Sequence, residues 1–465
     1  MEKNKLYIAI GLGIVFVAAL IFRFYPVINN PEEINKGFGP FGDSNLYHCI
    51  AYNLYRGNGF SGIDDGTPYG LNQEPKTKEY EPAINRGPIY PTFIFLVYKF
   101  LGNPEDMKSL DNWHKNWNKI RLAQCVLDAT ICIFVFFIVR LIYPASLWPA
   151  FISAVLYAFS FYNIFYTKAL IGESVTTFLL ALAILFFTLS IKSGKKLLLF
   201  LAGVGFGLVV LSRTEYVLFI LLLALYIFFV NRRSFSMAIK KGLIFIFGAS
   251  IIIAPWVLRN YIVFKEPVIT IGALGYNMHQ GTFVTKDNWT SWGEYPEEIF
   301  SNDQEKEAVY SLYESFHKYY TKGSIKVKEF DDAFMELALK KIRDNPGQIF
   351  KIWITRIPQL WYQDYLSMYA YVEASGWFFV FYFMFAMLAF FISSGQERIL
   401  MAPVGFLFVY LNLIFLPLLI EPRYGVALMP GIIALTGIGI WKSLLVLKSF
   451  VVKHKLIDFT SEGGD

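Results

Sequence analysis

Apolar runs of about 20 residues, each long enough to cross a bilayer as a helix, recur along almost the whole chain. They are Leu6–Phe24, Ile120–Ile142, Ser146–Tyr166, Ser174–Ile191, Leu197–Ser212, Tyr216–Val230, Gly242–Val257, Gly376–Ile392, Ile399–Ile420 and Gly425–Leu447. A closed barrel would show short alternating segments instead, so the expected fold class is an all-α, polytopic integral membrane protein. Several runs are short and need flanking residues or a thin local bilayer to span. Pro88–Leu101 is also apolar, but at about 1.5 Å per residue it reaches only about 20 Å. It is expected to be re-entrant or interfacial, with a true crossing as the alternative. Leu6–Phe24 follows Lys3 and Lys5 and runs into Arg23 without a small-residue cleavage site, so a retained anchor is expected rather than a cleaved signal.

Loop charges orient the runs. With the N-terminus inside and Pro88–Leu101 not crossing, Arg140, Lys192, Lys195, Lys196, Arg232, Arg233, Lys240, Lys241, Lys448, Lys453 and Lys455 all fall on the inner side. About ten spans follow from that pattern, and the expected location is the plasma membrane. The expected organisation is a membrane module over residues 1–264 with a first outer loop at 25–119, an outer helical cap at 265–375, further spans at 376–455, and a tail at 456–465. In the cap, Ser301 or Asn302 should start a helix running to about Thr321. A second should hold Phe330, Phe334 and Leu337 to about Asp344, with a break at Asn345-Pro346. Lys351–Tyr365, with Trp353, Trp361 and Tyr362, reads as a helix at headgroup level.

In this orientation the outer segments gather Asp43, Arg86, Glu173, Arg213, Glu215, Arg259 and Arg423. Short turns rarely need so many charges for solubility, and opposite signs at one membrane surface suggest a site. Asp43 opens a short helix in the polar stretch that begins at Gly37, and Arg86 precedes a Pro-x-x-Pro turn.

The pieces GDSNLYHCIAYNLYRGNGFS, NRGPIYPTFIFLVYKFLG, ALIGES, GLVVLSRTEY, APWVLRNYIVFKEPV and EPRYGVALMP, in that order, resemble the GT-C glycosyltransferases that use lipid phosphosugars. The nearest branch is that of the protein O-mannosyltransferases and the aminoarabinose (lipid A) transferases. The resemblance covers about Leu6 to Phe264 and the last two spans; Lys265–Ser375 carries no motif of the family. It implies a GT-C-like helical bundle that moves a sugar, with inversion, from a polyprenyl-phosphate donor to a protein, lipid or glycan acceptor at the extracytoplasmic face. By resemblance, Asp43 matches the base for the acceptor hydroxyl, Arg86 and Arg259 contact the carrier phosphate, and Glu173 belongs to the site. Arg213 is a further phosphate candidate, and Arg423 and Tyr424 are further site candidates. The pattern departs from the mannosyltransferases in having a lone acid, Asp43-Ser44, where that branch has a pair. The acceptor and any divalent metal therefore stay open, and no other cofactor and no nucleic-acid partner is implied.

The chemistry of the residues agrees. Transfer from a phospholipid carrier needs a carboxylate for the acceptor proton and cationic forks where phosphate charge grows. Arginine suits the second role because its fork meets two oxygens at once. Each residue also has a plainer reading. Asp43 reads as a helix N-cap, Arg86 as a snorkelling charge, Glu173 as a cap or partner of Lys168, Arg213 and Glu215 as a mutual pair, and Arg259 and Arg423 as membrane-edge charges. Asp128 lies within a span and pairs with a neighbouring helix or serves function. His48, His279 and His317 lack metal-ligand spacing, and Gly203, Gly205 and Gly207 read as helix packing. Asn288-Trp289-Thr290 is a glycosylation sequon. The competing class is a transporter or flippase of a lipid-linked or anionic substrate, which would hold its charges at mid-bilayer on broken helices.

Overall fold

The computed structural model describes residues 2–32, 34, 43–62, 81–102, 110–285, 293–300, 302–361 and 376–461. The sequon at Asn288, Tyr362 and the last four residues of the tail lie outside these. The described part is helical: α1 (Glu2–Asn29), α2 (Asp43–Arg56), α3 (Ile89–Leu101), α4 (Leu110–Ile142), α5 (Trp148–Ala158), α6 (Phe161–Tyr166), α7 (Glu173–Ser193), α8 (Lys196–Ser212), α9 (Val217–Val230) and α10 (Phe235–Phe264). Then come α11 (Leu274–Gly281), α12 (Asp303–Lys322), α13 (Val327–Asp344), α14 (Pro346–Thr355), α15 (Gly376–Ile392), α16 (Gly395–Phe415) and α17 (Met429–Ser461). Six segments are long and apolar enough to cross a membrane, and five more apolar helices are shorter, as expected of a polytopic bundle.

One core joins α4, α5, α7, α8, α16 and α17, through Val135, Phe136, Ala154, Phe187, Phe206, Leu407 and Ile433 among others. The expected glycine packing is present between α8 and α10. A Cβ on Gly203 would lie 2.1 Å from the Phe245 carbonyl oxygen, and one on Gly248 2.3 Å from that of Phe200. Only glycine lets the two backbones come this close.

The run Ser146–Tyr166, expected as one helix, is broken between α5 and α6 at Phe159-Ser160. The break leaves the last carbonyls of α5 short of α-helical partners, although that of Tyr157 still accepts the Ser160 amide at 3.0 Å. Arg23 of α1, wholly buried, supplies them: Nη1 donates to the Ala158 carbonyl at 2.9 Å and Nη2 to that of Tyr157 at 3.3 Å. Its Nε pairs with Asp128 Oδ2 at 2.5 Å, and the Tyr157 hydroxyl donates to the other oxygen at 2.8 Å. Asp128 is thus a structural acid, held by a neighbouring helix.

The helix α3 lies along the first turns of α4 in the reverse direction. Near its start Tyr90 donates to Gln124 at 2.7 Å, and just past its end Gly102 faces Asn116. It therefore begins and ends beside the N-terminal part of α4.

The cap has its own core, in which Tyr276, Phe316 and Phe334 meet Ile84 and Leu419 from the membrane module. Asn302 caps α12 by accepting from the Glu305 amide, and Gly323 (φ 76°) ends it in the left-handed region. The break at Asn345-Pro346 starts α14, which stops at Thr355 and gives way to a 3-10 turn, Ile357–Leu360, rather than continuing toward residue 365. Pro358 removes the donor a longer helix would need.

Helix alternation puts the C-terminal ends of α8 and α16 at the same end of the bundle as the N-termini of α7 and α17. At the opposite end the basic residues cluster. Lys192 donates to the Leu141 carbonyl, Lys241 to Asn231, and Lys442 to Glu397.

Candidate active site

Each charged residue owes its place to a local signal. Asp43 is the first residue of α2 and Glu173 the first of α7, where an acid faces the positive end of the helix. Arg86 lies in the loop before α3. Gly87, the next residue, has no room for a side chain, because a Cβ would stand 2.1 Å from the Leu211 carbonyl oxygen. That contact seats the Arg86 loop on the end of α8, directly before the turn that carries Arg213 and Glu215. Arg423 and Tyr424 lie in the short 3-10 turn between α16 and α17. The carbonyl of Pro422 in that turn accepts the Tyr162 hydroxyl of α6.

These five segments meet in one ion network. Arg86 Nη2 donates to Asp43 Oδ1 at 2.7 Å, and Arg423 Nη2 to Asp43 Oδ2 at 3.4 Å. Arg423 Nε lies 2.5 Å from Glu421 Oε2 and 3.9 Å from Glu173 Oε1. Arg213 donates to that same Glu173 oxygen and, at 2.8 Å, to Glu215 Oε1. The Tyr424 ring lies 5.2 Å from the Arg213 guanidinium carbon and 5.4 Å from that of Arg423. Glu173 is 2% exposed and Arg86 8%, whereas Asp43 keeps 27% of its side chain open. The network is therefore buried at its base and accessible at Asp43.

Burial alone would raise the Asp43 carboxyl, but Arg86, Arg423, Arg213 and the Tyr320 hydroxyl together hold it below the ordinary carboxylate value. Glu421 goes the other way. Burial lifts it, Asp43 and Glu173 add to the rise, and Arg423 opposes it. Two carboxyls attached to one arginine are thus pushed apart, a common property of proton-handling sites.

Of the expected residues, Asp43, Arg86, Glu173, Arg213, Arg423 and Tyr424 come together. Glu173 pairs with Arg213 rather than Lys168. Arg259 is placed differently: it donates to the carbonyls of Ala83 at 2.8 Å and Phe60 at 3.0 Å, and packs against Trp256, Phe60 and Phe264. It braces the loop that carries Arg86. Three neighbours of the network lie outside the expected set. Glu421 sits within the EPRY piece. Tyr47 is one turn along α2 from Asp43, and its ring lies 5.5 Å from the Arg86 guanidinium carbon. Tyr320 arrives from the cap. Among the described residues no group of three His, Cys, Asp or Glu side chains is placed to hold a metal ion.

The profile of the dolichyl-phosphate-mannose-protein mannosyltransferase family matches residues 113–258. No curated protein matches the whole sequence significantly. Among solved structures, the archaeal oligosaccharyltransferase AglB from Archaeoglobus fulgidus, in complex with an inhibitory peptide and a dolichol-phosphate, aligns with a TM-score of 0.53 at 10% identity. The alignment covers 98% of this chain and 52% of that one. An Archaeoglobus fulgidus oligosaccharyltransferase in the apo form gives 0.53 at 11% identity, over 96% of this chain and 52% of that one. The chain thus spans about half the length of these oligosaccharyltransferases. ArnT from Cupriavidus metallidurans, bound to undecaprenyl phosphate, aligns over 94% of this chain and 77% of its own at 12% identity, with a TM-score of 0.36 that adds nothing to the fold assignment. In its fold, and over residues 113–258 in its sequence, the chain resembles the GT-C glycosyltransferases that work with lipid-linked donors.

Proposed function

We propose that the chain is an inverting glycosyltransferase that moves a sugar from a polyprenyl-phosphate carrier to an acceptor hydroxyl. The reading rests on one observation: Asp43, Arg86, Glu173, Arg213 and Arg423, from five distant segments, join in one partly open ion network at the end of an apolar bundle. The basic cluster at the other end supports an extracytoplasmic location for this one. The transporter reading loses its intramembrane acid, because Asp128 is committed to Arg23.

In this scheme Asp43 accepts the proton of the acceptor hydroxyl, whose oxygen attacks the anomeric carbon. The bond from that carbon to the phosphate oxygen breaks, and the electron pair leaves with the phosphate. Arg86 and Arg423 meet the growing charge with paired N–H donors. Glu173 and Glu215 orient Arg213 behind them. Arrival of the phosphate also relieves Asp43: once its negative charge shares the guanidiniums, the carboxylate is less stabilised and becomes a better base. The proton then passes from Asp43 to water through its exposed edge. No step is assigned to a metal.

The test is to incubate the purified protein, in lipid nanodiscs, with a panel of polyprenyl-phosphate sugars and a mixture of hydroxyl-bearing peptide, lipid and glycan acceptors, and to follow release of the polyprenyl phosphate. One donor should be consumed by the wild type, and Asp43→Asn should lower that rate about 10²–10⁴-fold while the protein stays folded. Full activity in Asp43→Asn would remove the base assignment. No consumption across the panel would remove the donor class.

A further inference from the structure

We propose that Tyr320, on the cap helix α12, is a positioning residue for Arg86 and Asp43, so that the site is complete only while the cap is docked. The inference rests on the transfer reading above and extends it to a residue of the cap, the part of the chain in which no family motif is found.

The Tyr320 ring centroid lies 4.5 Å from the Arg86 guanidinium carbon, closer than the ring of Tyr47. Its hydroxyl donates at 3.4 Å to Asp43 Oδ1, the oxygen that Arg86 Nη2 also holds. One side chain therefore touches both members of the base–phosphate pair. It is itself fixed on both its flanks. The Tyr320 carbonyl accepts from Asn85 Nδ2 at 2.6 Å, and the Gly323 carbonyl accepts from the Ile84 amide at 3.2 Å. Those two partners immediately precede Arg86. A Cβ on Gly62 would stand 2.1 Å from the Lys322 carbonyl oxygen, so the first loop reaches the same turn without a side chain in between. Phe316, one helical turn back, stacks on the Tyr320 ring with centroids 5.2 Å apart.

This geometry has a chemical consequence. An aromatic ring against a guanidinium restricts its ligands to the plane of the fork, the direction a phosphate must use. The hydroxyl, in turn, stabilises the ionised form of Asp43 and weakens it as a base. Ring and hydroxyl thus act on different substrates, and two variants separate them.

The test measures affinity for undecaprenyl phosphate in nanodiscs, and the pH dependence of turnover with the donor found in the panel. Tyr320→Phe keeps the ring. Affinity should stay within about twofold, and the acid limb of the rate profile should move to higher pH, because Asp43 has lost a donor that lowers its pKa. Tyr320→Leu loses the ring and should bind undecaprenyl phosphate about 5–30-fold more weakly. An unmoved acid limb in Tyr320→Phe, or wild-type affinity in Tyr320→Leu, would overturn the role. If Tyr320→Leu proves unfolded by its melting curve, the Tyr320→Phe limb alone decides. Failure of the wider reading looks different: wild type and Arg86→Ala would then both fail to bind undecaprenyl phosphate.

Discussion

Removing Asp128 should reveal how strongly the broken helix depends on its buried ion pair. In Asp128→Ala, Arg23 remains wholly buried with its charge unmatched, and the Tyr157 hydroxyl loses its acceptor. Stripping one partner from a buried pair costs about 3–5 kcal/mol. Arg23→Leu should cost at least as much, because it also frees the carbonyl of Ala158, whereas that of Tyr157 keeps the Ser160 amide at 3.0 Å. The double variant Arg23→Leu, Asp128→Leu leaves no stranded charge. Its cost should fall to that of the unpaired Ala158 carbonyl and Tyr157 hydroxyl, about 1–3 kcal/mol for each. The single effects are therefore strongly non-additive, by about 3 kcal/mol or more. Reversible unfolding in mixed micelles, followed by tryptophan fluorescence, reads all three variants against wild type. If the double variant lost the sum of the two singles, the pair would not be coupled and the account of the α5–α6 break would fail.

Gly87→Ala should push the Arg86 loop off the end of α8, since the added carbon would meet the Leu211 carbonyl at 2.1 Å. Turnover should fall at least tenfold with little change in melting temperature, and unchanged turnover would refute the seating. Gly203→Ala forces α8 from α10 and should cost about 1–3 kcal/mol in the same unfolding assay. The pH dependence follows from Asp43. Its folded-state pKa lies below the unfolded value of about 3.9, so this group's stabilisation is present above that value and lost as pH falls through the lower one. The free enzyme should accordingly show no loss of kcat/KM between pH 8 and pH 5, which a histidine base, near pH 6.5 unperturbed, would not allow.

The charged ends of the bundle were legible because charge is scarce in an apolar chain. Asp43, Arg86, Glu173, Arg213 and Arg423 stand out at the edges of apolar runs, and the structure brings all of them together. Arg23 shows the limit of that rule. It too stands at the edge of a run, yet it turns inward, because its partner is 105 residues away and periodicity carries no information about such a pair. The break at Phe159-Ser160 was hidden for a related reason: its flanks are as apolar as the helices it separates, and no proline or glycine marks it. Tyr47 and Tyr320 could not be singled out among 29 tyrosines, since what distinguishes them is the arginine between them in space. Arg259 read as one more phosphate contact, but carbonyls of the first loop engage its fork.

At rest each guanidinium of the network already has a carboxylate partner. An anion that binds there must exchange with a resident acid rather than settle on a bare cation. Such an exchange gives little to a singly charged ion such as chloride or acetate, which only replaces like with like. The phosphodiester of a lipid-linked sugar is also singly charged, but its two free tetrahedral oxygens can span two forks that the resident carboxylates hold separately. On the transfer reading proposed above, the self-pairing acts as a filter against the abundant small anions of any medium.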